Sequence, residues 1–97
     1  MCKILLSDIM SVNQDVTIAG ADLYAWINKQ ANAGEKLVID MTGVTSLSSV
    51  FLNVSIGRII DELGVNVLKK TVSFTNITQQ QANRLSEYLN KYSTPQR

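Results

Sequence analysis

The chain has 97 residues, 45% of them hydrophobic and 18% charged, with nine basic and eight acidic side chains for a net charge of +1. That length fits one domain around a single core, and the near-neutral balance, with Lys69-Lys70 as the one adjacent basic pair, argues against a nucleic-acid partner. There is no histidine and Cys2 is the lone cysteine, which excludes a Ser-His triad, an internal disulfide and a thiolate metal cluster.

Cys2, next to the first methionine, is expected to fray. No window approaches the roughly 18–20 apolar residues of a membrane span. The start, MCKILLSDIM, lacks the long apolar region of a secretory signal. A reducing, cytoplasmic location without membrane insertion is therefore the expectation. Stability should be modest unless a partner or a dimer adds buried area.

Residues 4–6 read as a first short strand and residues 16–18 as a second, with Asn13-Gln14-Asp15 as the turn between them. A helix follows over about 21–33. Leu23, Trp26, Ile27 and Ala31 share its apolar face, Asp22 favours its positive end, and Gly34 ends it. Residues 37–41 are apolar on both faces, as in a buried central parallel strand.

The next helix is expected over about 49–63, with Leu52, Ile56, Ile59, Ile60 and Leu63 as its core stripe. Arg58, Asp61 and Glu62 mark its wet side, and Gly64 stops it. Residues 65–68 belong to the connection. Residues 71–74 alternate as a strand, with Val72 and Phe74 on one face. Thr78 and Gln81 form a capping box, with Ile77 before it as a staple residue. Ala82, Leu85, Tyr88, Leu89 and Tyr92 line the apolar face of the helix it opens, and the tail after it should fray. The order predicts an α/β single domain: a mixed open sheet of about four strands with about three helices, joined by right-handed crossovers.

The stretch Leu37 to Gly57, LVIDMTGVTSLSSVFLNVSIG, carries the most functional information. A strand ending in Asp40 runs through the turn at Thr42-Gly43 into Ser46-Leu47-Ser48-Ser49 and a helix. A serine at that helix start has two readings. It is the N-cap, the simpler one, or it is a phosphoacceptor whose phosphate would meet free backbone N–H groups. Asp40 lies at the strand's carboxyl end, where open α/β sheets place ligands. A lone carboxylate without a metal partner or histidine is a poor catalyst, and accepting hydrogen bonds from the turn is its simpler role.

Trp26 is assigned to the core and Tyr24 to the surface. Phe51, in the helix's first turn, is either an exposed anchor beside the serines or is packed under the 42–47 loop. Asn53 and Ser55 interrupt the apolar helix and either face solvent or mark a partner groove. The five glycines form no phosphate cradle. No enzyme, metal or cofactor is expected.

On these residues the chain resembles the STAS superfamily, the fold of bacterial anti-sigma factor antagonists, and is most similar to its divergent STAS-like domains of unknown function. The resemblance spans roughly residues 16–92 and is strongest over 36–64. The superfamily pattern is an apolar strand, D-[LM]-[ST]-G-V, an apolar residue, D-S-S-G and an apolar helix. Asp40-Met41-Thr42-Gly43-Val44 matches its first part. Ser48 then stands at the usual Asp, Ser49 at the phosphorylated Ser, Val50 at the second Ser and Phe51 at the Gly. The divergent branch commonly has a serine followed by an aromatic here, which suits Ser49-Val50-Phe51. Residues 72–77 followed by a helix also look like that branch.

The resemblance implies a non-enzymatic, signalling protein-binding module. Its partner would be a histidine-kinase-like ATPase that acts as a serine kinase, and phosphorylation would end binding. It makes Ser49 the candidate phosphoacceptor, with Ser48 second. It makes Asp40, Thr42, Gly43, Thr45, Ser46, Ser48, Ser49, Phe51 and Asn53 the docking surface. Two alternatives stand beside it: a constitutive interaction or assembly domain using the same surface without phosphorylation, and a small-ligand-binding domain near Asp40. An exposed sheet edge or an apolar patch around Phe51 would permit a homodimer.

Overall fold

The computed structural model describes residues 2–12, 15–44 and 47–93, with only the backbone of Val12, Tyr92 and Ser93. Thr45 and Ser46, the turn residues Asn13 and Gln14, the side chain of Tyr92 and the tail lie outside the described residues. The elements in chain order are β1 (Cys2–Leu5), α1 (Leu6–Val12), α2 (Val16–Ala33), β2 (Leu37–Asp40), α3 (Ser49–Val54), α4 (Ile56–Leu63), α5 (Val65–Thr71), β3 (Val72–Thr75) and α6 (Gln79–Ser93).

The sheet has three strands in the order β1-β2-β3, and both pairings are parallel. It is thus neither mixed nor four-stranded among the described residues, and there are more helical segments than three. The missing strand is the one expected over 16–18. Three β-branched side chains suggested it, but Asp15 caps a helix there. Its carboxylate accepts from the Thr17 amide at 2.9 Å and the Thr17 hydroxyl at 2.7 Å. Val16 and Ile18 stay exposed at 41% and 56%, without the one-sided burial of a strand.

Three other boundaries also move. Leu6 opens α1 instead of closing the first strand. Residues 65–71 are helical rather than connecting. Cys2 is held in β1, its amide donating to the Lys36 carbonyl at 3.0 Å, so it does not fray.

β2 is the central strand, as its apolar run implied. Register aligns Cys2, Leu37 and Val72, and next but one Ile4, Ile39 and Phe74. These point to one face, where Leu37 and Ile39 are wholly buried. The alternate set, Lys3, Leu5, Val38, Asp40, Ser73 and Thr75, is half-buried or exposed. The core therefore lies on one side of the sheet, beneath the helices.

α2 buries Ala19, Gly20, Leu23 and Ile27 and ends at Gly34, which adopts the left-handed conformation at φ 71°. Trp26 is half-buried at the core's margin. Tyr24 is also half-buried, its hydroxyl donating to Glu62 and its ring under the Arg58 guanidinium at 4.0 Å, so it ties α2 to α4 rather than standing free.

The helix expected over 49–63 is broken at Ser55. Its hydroxyl, wholly buried, donates to the Phe51 carbonyl at 2.7 Å. Such back-bonding competes with the helical ladder and bends helices, and Ser55 sits at φ −116°, ψ −83°. Leu52, Ile56 and Ile59 are buried as expected, and Arg58, Asp61 and Glu62 are exposed. Thr78 and Gln81 form the reciprocal capping box, each amide donating to the other's side chain at 3.1 Å.

Candidate functional site

The loop after β2 and the start of α3 lie at the carboxyl end of the parallel sheet. Asp40 is the junction there. Its Oδ1 accepts from the Thr42 amide at 2.9 Å, the Thr42 hydroxyl at 2.6 Å and the Asn76 side chain at 3.0 Å, and Oδ2 lies 3.7 Å from Lys3 Nζ. One carboxylate thus ties the end of β2 to the residue after β3 and to Lys3 within β1. Asn76 makes its bond from the left-handed region, φ 54°, which asparagine tolerates better than most residues. The role is the turn acceptor that the sequence favoured.

Hydrogen bonds from Thr42 and Asn76 hold the Asp40 carboxyl down at about 2, from an ordinary 3.8. The folded state therefore favours the charged form. The stability this contributes is complete above the ordinary value and is lost as pH falls through the folded one, near 2. Denaturant titrations across the acid range should show wild type losing its advantage over Asp40→Asn in that window. A constant difference at all acid pH values would remove Asp40 from the acid response.

Gly43 turns the loop at φ 82°, and a Cβ there would touch Ser7 at 3.5 Å. Val44 and Leu47 are buried on either side of Thr45 and Ser46. Two side chains of α6 hold these flanks. Gln81 Nε2, on a buried side chain, donates to the Val44 carbonyl at 2.6 Å, and Arg84 Nε donates to the Leu47 carbonyl at 3.2 Å. The loop is thus pinned by a helix some 37 residues away in sequence.

The two serines divide their roles. Ser48 is the N-cap of α3, its Oγ accepting from the Phe51 amide at 3.1 Å. Ser49 is exposed, and its Oγ accepts from Arg84 Nη2 at 2.8 Å. Asn53, one turn on, accepts from the Tyr88 hydroxyl at 2.7 Å. Ser49 and Asn53 on α3 therefore face Arg84 and Tyr88 on α6, both pairs spaced by four residues along a helix face.

Phe51 is not an exposed anchor: it is 1% exposed, in the core. Successive helical residues point about 100° apart, so with Ser49 and Asn53 outward, Phe51 and Leu52 turn inward. The exposed apolar side chain beside Ser49 is Val50, at 48%. Of the sequence-derived surface, Thr42, Gly43, Ser48, Ser49 and Asn53 are exposed and Asp40 is half-buried. Arg84, Gln81, Tyr88 and Asn76 escaped sequence reading because no local pattern links them to the loop. The one local hint was the capping box, which fixes the rotation of α6.

Among the described residues no group of three or more potential metal ligands exists, and no helix is long and apolar enough to cross a membrane. Comparison with known proteins finds a family model, described as a STAS-like domain of unknown function, that matches residues 19–82. Neither the curated proteins nor the solved structures contain a match. The matched segment includes Asp40, the loop and all of α3 and stops just before Arg84 and Tyr88. Since it takes in well over half of the chain, this protein belongs to the family of STAS-like domains of unknown function, DUF4325.

Proposed function

We propose that this domain is a non-enzymatic regulatory module that binds a protein partner through the 42–50 surface and is switched by phosphorylation of Ser49. The partner is an ATPase of the histidine-kinase-like type. The observation that carries the reading is the exposed Ser49 hydroxyl with the Arg84 guanidinium 2.8 Å away. Transfer of the γ-phosphoryl group from ATP forms a Ser49 Oγ–P bond, releases the hydroxyl proton and leaves ADP. The product carries close to two negative charges at pH 7. Arg84 already points at that oxygen, and a guanidinium–phosphate pair is stronger than the neutral bond it replaces. The phosphate is thus accommodated by the fold while it alters the surface offered to the partner.

The test is capture of the tagged chain from its own cell lysate, with phosphate mapped in bound and free fractions. Recovery of such an ATPase, with phosphate on Ser49 in the free fraction only, is the expected result. Ser49→Asp should weaken that complex and Ser49→Ala should keep it; equal binding by both sinks the switch. A separate expectation concerns Arg84. Phosphoserine installed at 49 should stabilise the wild-type domain by about 1 kcal/mol, an exposed ion pair's worth, and should not stabilise Arg84→Gln. Thermal unfolding of the four proteins decides it.

The exposure of Val50 favours a second reading, constitutive docking without modification. Val50→Asp abolishing capture, with Ser49 unmodified in every fraction, would select it.

A further inference from the structure

Away from this surface, α6 leaves a cavity over β3. Its inner part, about 200 Å³, lies between α4, α5, β3 and α6 and is walled by Ile56, Leu68, Val72, Phe74, Leu85 and Leu89. It adjoins a wider outer groove of about 410 Å³ that shares Phe74, Leu85 and Leu89 and adds Ile77, Ala82, Ser86 and Asn90. Lys69 lines both parts and, among the described residues, is the one charged side chain in either. It is exposed, in the last turn of α5, and is in no ion pair among the described residues.

Deep carbon walls with a single cation at the edge describe a site for an apolar chain with one anionic end. Ligand pockets are typically mostly apolar with a few polar groups fixing orientation. The inner part has room for an aliphatic chain of several carbons. We propose that this cavity binds a medium-chain aliphatic carboxylate, its chain between β3 and α6 and its carboxylate on Lys69. The proposal is independent of Ser49 and of the regulatory reading.

The test uses sodium octanoate, with octylamine as the cation of equal chain length and butyrate as the short anion, followed by titration calorimetry and by amide NMR shifts of α6. Octanoate should bind, and both octylamine and butyrate should bind at least ten times more weakly. Lys69→Glu, on an exposed side chain, should reverse the preference between octanoate and octylamine. Leu89→Trp should block the cavity. If that variant fails to fold, the charge reversal still decides. Equal binding of octanoate and octylamine, or an unchanged preference in Lys69→Glu, would overturn the proposal. So would absence of octanoate binding; concentration-dependent self-association that Leu89→Glu abolishes would then show the groove covered by a second copy.

Discussion

Phe51→Ala is expected to lower the unfolding free energy by about 3–5 kcal/mol, the cost of emptying a large aromatic site in a packed core. Phe51 is 1% exposed and sits in the same cluster as Leu23, Leu52 and Ile56. Small domains have about 5–15 kcal/mol in total, so the loss is a large part of the total. Urea denaturation followed by circular dichroism measures the loss. A change below about 1 kcal/mol, within the range of ordinary surface substitutions, would contradict the burial. This bears on the proposed function. Loss of binding to the proposed partner in Phe51→Ala would report unfolding, not an anchor, whereas Val50→Ala changes the proposed docking surface at a cost within about 0.5 kcal/mol.

Gly20→Ala should destabilise by about 2 kcal/mol through overpacking, even though alanine gains about 1 kcal/mol over glycine in a helix interior. A Cβ at Gly20 would lie 2.2 Å from Val54 Cγ2 and 3.0 Å from the Phe51 carbonyl oxygen. Valine in a helix has one strongly preferred rotamer, so Val54 cannot swing aside. The Phe51 carbonyl is itself held by Ser55. The helices α2 and α3 would have to separate, just behind Ser49 and Val50. Val54→Ala added to Gly20→Ala should recover stability, because it removes the overlapping methyl. If the double variant is less stable than Gly20→Ala alone, the close approach is not the cause. Both proteins can be compared by thermal unfolding at equal concentration.

The two variants probe one arrangement. α3 is a short helix wedged between α2 and α6, with one side inward through Phe51 and Leu52. Its opposite side meets Arg84 and Tyr88. Anything that shifts α3 moves the Ser49 hydroxyl relative to the guanidinium. Gly20→Ala is therefore expected to weaken the phosphate-dependent stabilisation as well as the fold. A phosphoserine at 49 would then add less than the wild-type increment.

From residue 21 onward the alternation of helical and strand segments around Leu37–Asp40 was legible in the sequence, because the apolar run, the helical stripes, Gly34, Gly64 and the Thr78–Gln81 box are all local signals. The sequence also pointed to Asp40, Ser48 and Ser49, since strand ends and caps are set within a few residues. Its errors came where local propensity was overruled. Val16 and Ile18 look like strand residues, yet the Asp15 cap draws them into α2. Ser55 reads as a polar position facing solvent or a partner groove, yet it is wholly buried and its bond to the Phe51 carbonyl divides the helix.

Which side of α3 faces which neighbour was not legible in the sequence and follows from the packing of distant elements. That packing separated the capping Ser48 from the Arg84-bonded Ser49, turned Phe51 inward and Val50 outward, and brought Arg84 to Ser49 across 35 residues of chain. The reason is physical: a helix's rotation is set by what its neighbours can bury and bond. Those neighbours lie far away in sequence, where no spacing rule reaches.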